Sequence, residues 1–411
     1  MSNSKPLLPI LLVNFIGTMG YSIVLPFLIV IVLKFGGNEY IYGALGATYS
    51  LFQFIGAPIL GKWSDRIGRR TVLLLSQAGT FIAWLIFLLA LLIDPDAANK
   101  NTFFIISLPL FLLFIARALD GVTGGNVSVA NAYLADITPE PERKKNFGKM
   151  AVSANMGFII GPALAGILGA TALGEILPVG MAMFISFIAI LMIAFRLEES
   201  NPCMIYKPLG KAYNTKVLGQ EHKECHEMIG ENSRTFREVF QDEDIRGLII
   251  LYFAVFLAFN FFYVSFPVHA STSWDWSVLE LGIFFSILSG VMVLVQGPFL
   301  TWISKRYTDE QLAIAGSFLL IFSFACFTNG SYLFIGMALC FYAFGNGIMW
   351  PSFLSILSKK AGKEQGLVQG YASSAGSLAS IIGLLVGGSL YGLIGANTFY
   401  GASLVMLFIL L

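Results

Sequence analysis

Arg117 and Asp120 stand three residues apart in the stretch ARALDGVTGGNVSVAN, residues 116–131, inside an apolar run of membrane-spanning length. Of the 25 Lys and Arg and 24 Asp and Glu in the chain, these two alone lie deep within such a run. An unpaired charge at mid-bilayer costs about 2.5–3.5 kcal/mol on insertion scales, so a charge placed there is expected to pair or to serve function. At i,i+3 the two share a helical face. Two readings follow: the carboxylate takes up and releases a proton in a coupled cycle, or the pair knits its helix to a neighbour. Gly124, Ser128 and Asn131 continue the face at i+7, i+11 and i+14 from Arg117, a small and polar stripe of the kind a water-filled cavity wall requires.

A second concentration of chemistry is GKWSDRIGRR, residues 61–70, where five of ten residues are charged between two apolar runs. Gly61 and Gly68 suit a tight turn. Asp65 and Arg69 lie four apart, near enough to pair if the turn is helical. A fixed carboxylate here could also meet the positive N-terminal end of a helix elsewhere in the chain and hold one side of the protein shut. Under the alternative, Lys62, Arg66, Arg69 and Arg70 only set topology, which leaves both glycines and the lone aspartate unexplained.

Other polar or small residues sit singly in apolar runs. Asn14, Gln53, Asn260, Tyr263 and Asn346, with Ser128 and Asn131, are candidates to line a cavity; each also suits an interhelical hydrogen bond. GFIIGPALAG, 157–166, combines Gly157, Gly161 and Gly166 with Pro162, which lacks the N–H that bonds back along a helix. Its glycines permit close helix packing. Ser373, Ser377, Ser380 and Gly387 form a similar stripe, and His269 is a lone titratable group at a helix end. HKECH, with His222, Cys225 and His226, and the distant Cys203 lack a recognised zinc spacing, so no metal and no cofactor is expected. No phosphate-cradling Gly-Lys-Ser/Thr loop is present, which disfavours an ATP-driven pump.

The elements that must carry these residues follow from composition. Apolar residues make up 56% and charged residues 12%, against about 25% charged in soluble domains. This is a polytopic, all-α protein of the lipid bilayer. A net charge of +1 gives no sign of nucleic acid. Twelve spans of roughly 20 residues are expected: 7–33, 41–61, 71–93, 103–135, 148–173, 178–197, 246–270, 277–303, 311–329, 331–357, 366–392 and 396–411. MSNSKPLL is too short and too weakly basic for a signal peptide, so the first run is expected to be retained. The polar segment 198–245 divides six spans from six. This suggests two six-helix bundles, 1–197 and 246–411, and a central linker.

Loops 2–3, 4–5, 8–9 and 10–11 hold thirteen Lys and Arg, among them Lys62, Arg143, Lys305 and Lys359; the opposite loops hold only Lys34 and Lys100. Both termini and the linker are therefore expected in the cytoplasm, at the cell (inner) membrane. GAPILGKWSDR (56–66) echoes QGPFLTWISKR (296–306), and GFIIGPALAG echoes ASIIGLLVGG (379–388). Parallel repeats of this kind imply a pseudo-twofold axis along the membrane normal, with a cavity between the repeats.

GKWSDRIGRR resembles the loop 2–3 signature of the major facilitator superfamily, Gly-x-x-x-Asp-Arg-x-Gly-Arg-Arg. The segments 49–76, 116–148 and 157–169 are similar to the tetracycline-resistance-like branch of its drug:proton antiporters, and LVQGPFL (294–300) resembles that branch's helix eight. The resemblance implies export of a small, lipophilic molecule in exchange for protons by alternating access. Gly61, Asp65, Arg66, Gly68, Arg69 and Arg70 would form a conformational latch, and Arg117 would serve proton coupling. It also implies that the helix-five motif marks an exporter. That branch usually has acidic residues where this chain has Gly17 and, near Ala83, in helix three. A symporter or uniporter of a small solute on the same scaffold is the alternative. No catalytic residue is expected, and the expected unit is a monomer.

Overall fold

In the computed structural model the described residues are 7–24, 26–94, 102–103, 106–124, 126–138, 143–201, 241–361 and 365–409. His222, Cys225, His226 and Cys203 lie outside them.

Helix α1 (Leu8–Ser22) carries Pro9 in its first turn, where the missing N–H loses no bond. The expected span 7–33 is not one helix. Pro26 cannot bond back and disfavours helix in the residue before it, so the chain resumes as α2 (Leu28–Lys34). Next come α3 (Glu39–Ile67) and α4 (Arg69–Leu91). A short antiparallel hairpin, β1 (Thr102–Phe103) with β2 (Ile106–Ser107), precedes α5 (Leu108–Gly124) and α6 (Asn126–Ile137). Helices α7 (Arg143–Gly169) and α8 (Ile176–Arg196) follow.

Asp242 accepts a hydrogen bond from the Ile245 N–H and so starts α9 (Glu243–Ser273). A capping box of Ser277 and Glu280 starts α10 (Val278–Leu294), which runs through a π-helical turn, Val295–Phe299, into the short α11 (Leu300–Ile303). Pro298 lies inside that turn. Thr308 and Gln311 form the capping box of α12 (Asp309–Cys326). The last helices are α13 (Tyr332–Ala361), α14 (Gln365–Ile394) and α15 (Thr398–Phe408), the last two joined by a 3₁₀ turn over Gly395–Asn397.

Among the described residues ten stretches are long and apolar enough to cross a membrane. Helix α1 falls short because the chain breaks near Pro26. The stretch 371–408 counts once although α15 turns back to pack on α9 and α12. The helices thus supply the twelve expected segments. Several reach further than hydropathy indicates, because a helix ends at its cap and not at the edge of the apolar run.

The chain forms two compact units, residues 1–25 with 51–232 and residues 26–50 with 233–411. In the first, α1 packs on α7 and α8, and α4 packs on α5 and α8. Its core joins Ile10, Val72, Val129, Tyr133, Leu134 and Ile193. In the second, α9 packs on α14 and α15, and α12 on α13. Phe27, Phe35, Phe262, Phe266, Phe324, Phe327, Tyr342 and Phe399 are among its largest fully buried side chains. The first turns of α3 join this unit because Gly43 sits against α14: a Cβ there would lie 2.5 Å from the Leu384 carbonyl oxygen and 3.2 Å from the Gly388 Cα.

Candidate functional site

The deepest polar group of the first unit is the expected pair. Arg117 Nη1 lies 3.1 Å from Asp120 Oδ2, and the two side chains are only 6% and 12% exposed. The guanidinium stands 5.9 Å from the centroid of the Tyr21 ring on α1. The Thr80 side chain on α4 lies near the Asp120 carboxylate. Thr80 Oγ1 lies 2.9 Å from Thr123 Oγ1, one turn along α5 from Asp120. Ser76 donates to the Thr123 carbonyl, and Gln77 to Ser186 Oγ at 2.7 Å, so a polar seam runs along α4. Ala83, Trp84, Phe87 and Ala116 line the crevice that holds the pair. Protonating Asp120 would remove the negative charge that faces the Arg117 guanidinium, so the proton bears on how this helix is held.

The stripe continuing from Arg117 mostly seats α3. Gln53 donates to the Gly124 carbonyl at 3.2 Å, and Ser128 donates to the Ala57 carbonyl at 3.2 Å beside Gly61. Gly56 packs directly on the Val122 backbone. Asn131 is exposed. The expected cavity wall is thus, at Gly124 and Ser128, a helix-packing surface.

Residues 61–70 are organised differently from the expectation. Gly61 is not in the turn; it lies within α3, which runs on to Ile67. The turn is Gly68 alone, at φ 100° and ψ 149°, a region open in practice only to glycine. Helix does not continue from 65 to 69, so the two are not four apart on one helix; the Asp65 side chain is outside the described set. Arg66 is exposed.

Arg69 Nε instead lies 3.1 Å from Asp136 Oδ2 at the end of α6, and its Nη1 donates to Ser64 Oγ. Glu199 supplies the remaining charge. Its carboxylate accepts from the backbone N–H of Arg69 at 2.8 Å and of Arg70 at 3.1 Å, and from those of Ser200 and Asn201. It fills the space where a Cβ on Gly68 would stand. Arg70 reciprocates: its guanidinium donates to the Ile193 and Ala194 carbonyls at the end of α8. An anion therefore caps the positive end of α4 while a cation caps the negative end of α8. Sequence reading singled out neither Asp136 nor Glu199.

In the helix-five motif, Gly157 and Gly161 lie against α1. Ser22 Oγ donates to the Gly157 carbonyl at 2.9 Å, and a Cβ on Gly157 would lie 2.8 Å from the Met19 nitrogen. Gly161 faces Ser22 and the Met19 carbonyl; Pro162 and Gly166 are buried within α7. Gly161→Leu is expected to push α1 from α7 and destabilise the protein by about 1–3 kcal/mol or more through overpacking. Thermal unfolding in detergent, read against Gly180→Leu as a control for added bulk on a helix where nothing stands within 4 Å, checks this. A loss at Gly161 no larger than at Gly180 would refute it.

Among the single polar candidates, Asn14 donates to Met150 O at 2.9 Å and Ser153 Oγ at 2.8 Å, bridging α1 and α7. Asn260 donates to Ser380 Oγ at 3.0 Å, bridging α9 and α14. Tyr263 is half-buried beside Phe262. His269 Nδ1 meets the Tyr391 hydroxyl at 2.9 Å. Asn346 is buried, with one contact, Met292 Sδ at 3.9 Å. Among the described residues no three His, Cys, Asp or Glu side chains are grouped to hold a metal.

A predominantly helical, many-times-spanning chain with a buried ion pair and a charged, glycine-punctuated turn has the build of a membrane carrier. Residues 10–384 match the Major Facilitator Superfamily, and the chain belongs to that family. It is 30% identical over 389 residues to the class E tetracycline resistance protein of Escherichia coli, covering 93% of this chain and 86% of that one. It is 26% identical over 415 residues to multidrug resistance protein 2 of Bacillus subtilis (strain 168), covering 99% and 94%. The crystal structure of the human organic anion transporter MFSD10 (TETRAN) shares the fold, with a TM-score of 0.67, 21% identity and coverage of 98% and 97%. The chain is therefore a multi-pass integral membrane transporter and not an enzyme.

Proposed function

We propose that the protein exports a small, lipophilic molecule in exchange for protons by alternating access, with Asp120 carrying the proton. The observation that carries this reading is the buried ion pair itself, packed beside Ala83. The tetracycline-resistance-like branch has an acidic residue near the Ala83 position of its third helix. Here Ala83 lies beside Asp120 of α5. A carboxylate is thus kept next to that position, supplied by the neighbouring helix and near the Thr80 side chain of α4.

Other charged groups suit the part less well. Hydrogen bonds to the Asp309 and Asp244 carboxylates hold the Lys359 and Lys360 ammonium groups above their usual range, so both stay protonated throughout physiological pH. The Glu199 carboxylate is committed to four backbone N–H groups. In this reading both ends and the connector 198–245 face the cytoplasm of a cell whose inner membrane holds the monomer. Halves 1–197 and 246–411 alternate, and residues 61–70 act as the latch.

A substrate-panel assay tests the function. Purified protein in proteoliposomes is given an imposed pH gradient, and at least one lipophilic compound should accumulate against its own gradient and stop on adding a protonophore. Fluxes identical with and without the gradient would make the protein a uniporter. Movement of substrate in the same direction as protons would make it a symporter.

A further inference from the structure

His269 is the one histidine among the described residues, and neither the buried ion pair nor the charged turn uses it. It stands near the C-terminal end of α9, far along the helix from the connector 198–245, and is 7% exposed. Three aromatic rings surround the imidazole. Trp274, in the turn after α9, is 4.9 Å away between centroids, Phe399 of α15 5.6 Å and Tyr391 of α14 5.9 Å. Trp274 is pinned in turn by Gly330, where a Cβ would lie 2.5 Å from its Nε1.

The hydrogen bonds around this ring depend on its charge. Nδ1 meets the Tyr391 hydroxyl at 2.9 Å, and Thr272 Oγ1 stands 3.5 Å from the same hydroxyl. An uncharged ring can accept the Tyr391 proton at Nδ1, whereas an imidazolium can only donate there. The tyrosine proton must then turn to Thr272, which can accept because its own hydrogen goes to the Val268 carbonyl. The longer contact is the weaker one.

A charge on the ring also has little to balance it. No Asp, Glu, Lys or Arg occurs in residues 247–274, 327–331 or 366–411, which cover this part of α9, the turn holding Gly330, α14 and α15. Of the groups nearby, Asp275 is exposed, Glu280 is held in the capping box of α10, and the Tyr400 hydroxyl pairs with Thr328. Glu39 and Tyr40 of α3 lie against Gly392, the residue after Tyr391. Ring faces attract a cation, but a buried ion without a counter-charge stays costly. The end of α14 is also a seam. A Cβ on Gly388 would lie 2.9 Å from the Glu39 carbonyl oxygen, and one on Gly392 2.7 Å from the Glu39 carboxylate. Movement of Tyr391 is therefore passed to α3.

We infer that His269 is a pH-sensitive clasp: uncharged, it fastens α9 to α14 through Tyr391, and on protonation it opens this end of α9 and α14, with the α3 seam, to water. Histidine is the side chain whose charge changes between about pH 5 and 8. In the proposed orientation this end faces outside, so the clasp reads external acidity. It is separate from the export reading and needs no substrate.

Amide hydrogen exchange on protein in nanodiscs tests the clasp, at about pH 7.5 and about pH 5, with rates corrected for the chemical effect of pH. In wild type, peptides covering 268–277 and 386–399 should exchange about five- to tenfold faster in acid, while those of α12 do not change. His269→Gln stays uncharged and polar, so its acid response should fall below about twofold. Tyr391→Phe keeps the histidine in its cage without the hydroxyl. It should exchange faster than wild type at neutral pH and still respond to acid. A second readout leaves residue 269 intact: intrinsic fluorescence should show a step between about pH 5 and 8 that disappears in Trp274→Phe. Equal exchange at both pH values in wild type, an undiminished acid response in His269→Gln, or no fluorescence step would overturn the clasp. An acid response confined to 268–277 would overturn its coupling to α14.

Discussion

Asp120→Asn protein, inserted and monodisperse, is expected to lose accumulation driven by a pH gradient while still exchanging substrate for substrate. The amide occupies the carboxylate's volume and stays polar beside Thr80, but it takes up no proton at any physiological pH. Exchange needs no change of protonation and survives. Some loss of stability accompanies the substitution, because breaking a buried pair in soluble proteins costs about 3–5 kcal/mol. Arg117→Ala leaves an uncompensated carboxylate and should be at least as harmful. The charge swap Arg117→Asp with Asp120→Arg separates the two roles of the pair. It restores a pair on α5 but puts the carboxylate toward Tyr21 and the cation toward Thr80. Folding should recover in the swap and proton-driven transport should not. Normal coupling in Asp120→Asn, or full coupling in the swap, would end the candidacy of Asp120 as the carrier and leave the pair as scaffolding.

Gly68→Ala is expected to destabilise the protein strongly. Its backbone, at φ 100° and ψ 149°, costs a residue with a Cβ about 1–3 kcal/mol. The added carbon also meets the Glu199 carboxylate and displaces the cap of α4. Each charge-assisted bond lost there removes about 1.5–3 kcal/mol. Thermal unfolding of four proteins measures the coupling: wild type, Gly68→Ala, Glu199→Ala and the double variant. The alanine at 68 should cost clearly less in the Glu199→Ala background, where only the backbone strain remains. Equal increments in the two backgrounds would mean that the carboxylate does not fill the glycine's space.

The contrast between these two sites shows which kinds of contact a linear reading captures. Arg117 and Asp120 were legible because i,i+3 on one helix fixes their proximity before any neighbour is known. The twelve segments were legible because hydrocarbon demands long apolar helices. Pro26 marked a break in the first of them that hydropathy alone passes over. Gly61 was misplaced in the turn because the apolar run ends there, whereas the helix continues through Lys62 to Ile67 on backbone bonds alone. Asn14 and Asn260 met partners on other helices. Periodicity gives the face a residue occupies but not what that face touches. Asp136 and Glu199 left no local signal, since their partners lie 67 and 130 residues away.

That last separation bears on how the protein is made. The first turn of α4 is synthesised with its amides uncapped, and the carboxylate that closes it emerges 130 residues later. At about 5–20 residues per second, the wait is on the order of 10 s. During that interval Gly68 is a loose swivel between two inserted helices, with Arg70 lacking the carbonyls of α8 as well. The turn at Gly68 therefore reports completion of the first six spans: its cap forms only when the sixth has been made. A chain stalled or cleaved before residue 199 would hold its spans in the membrane and leave the first turn of α4 without this cap.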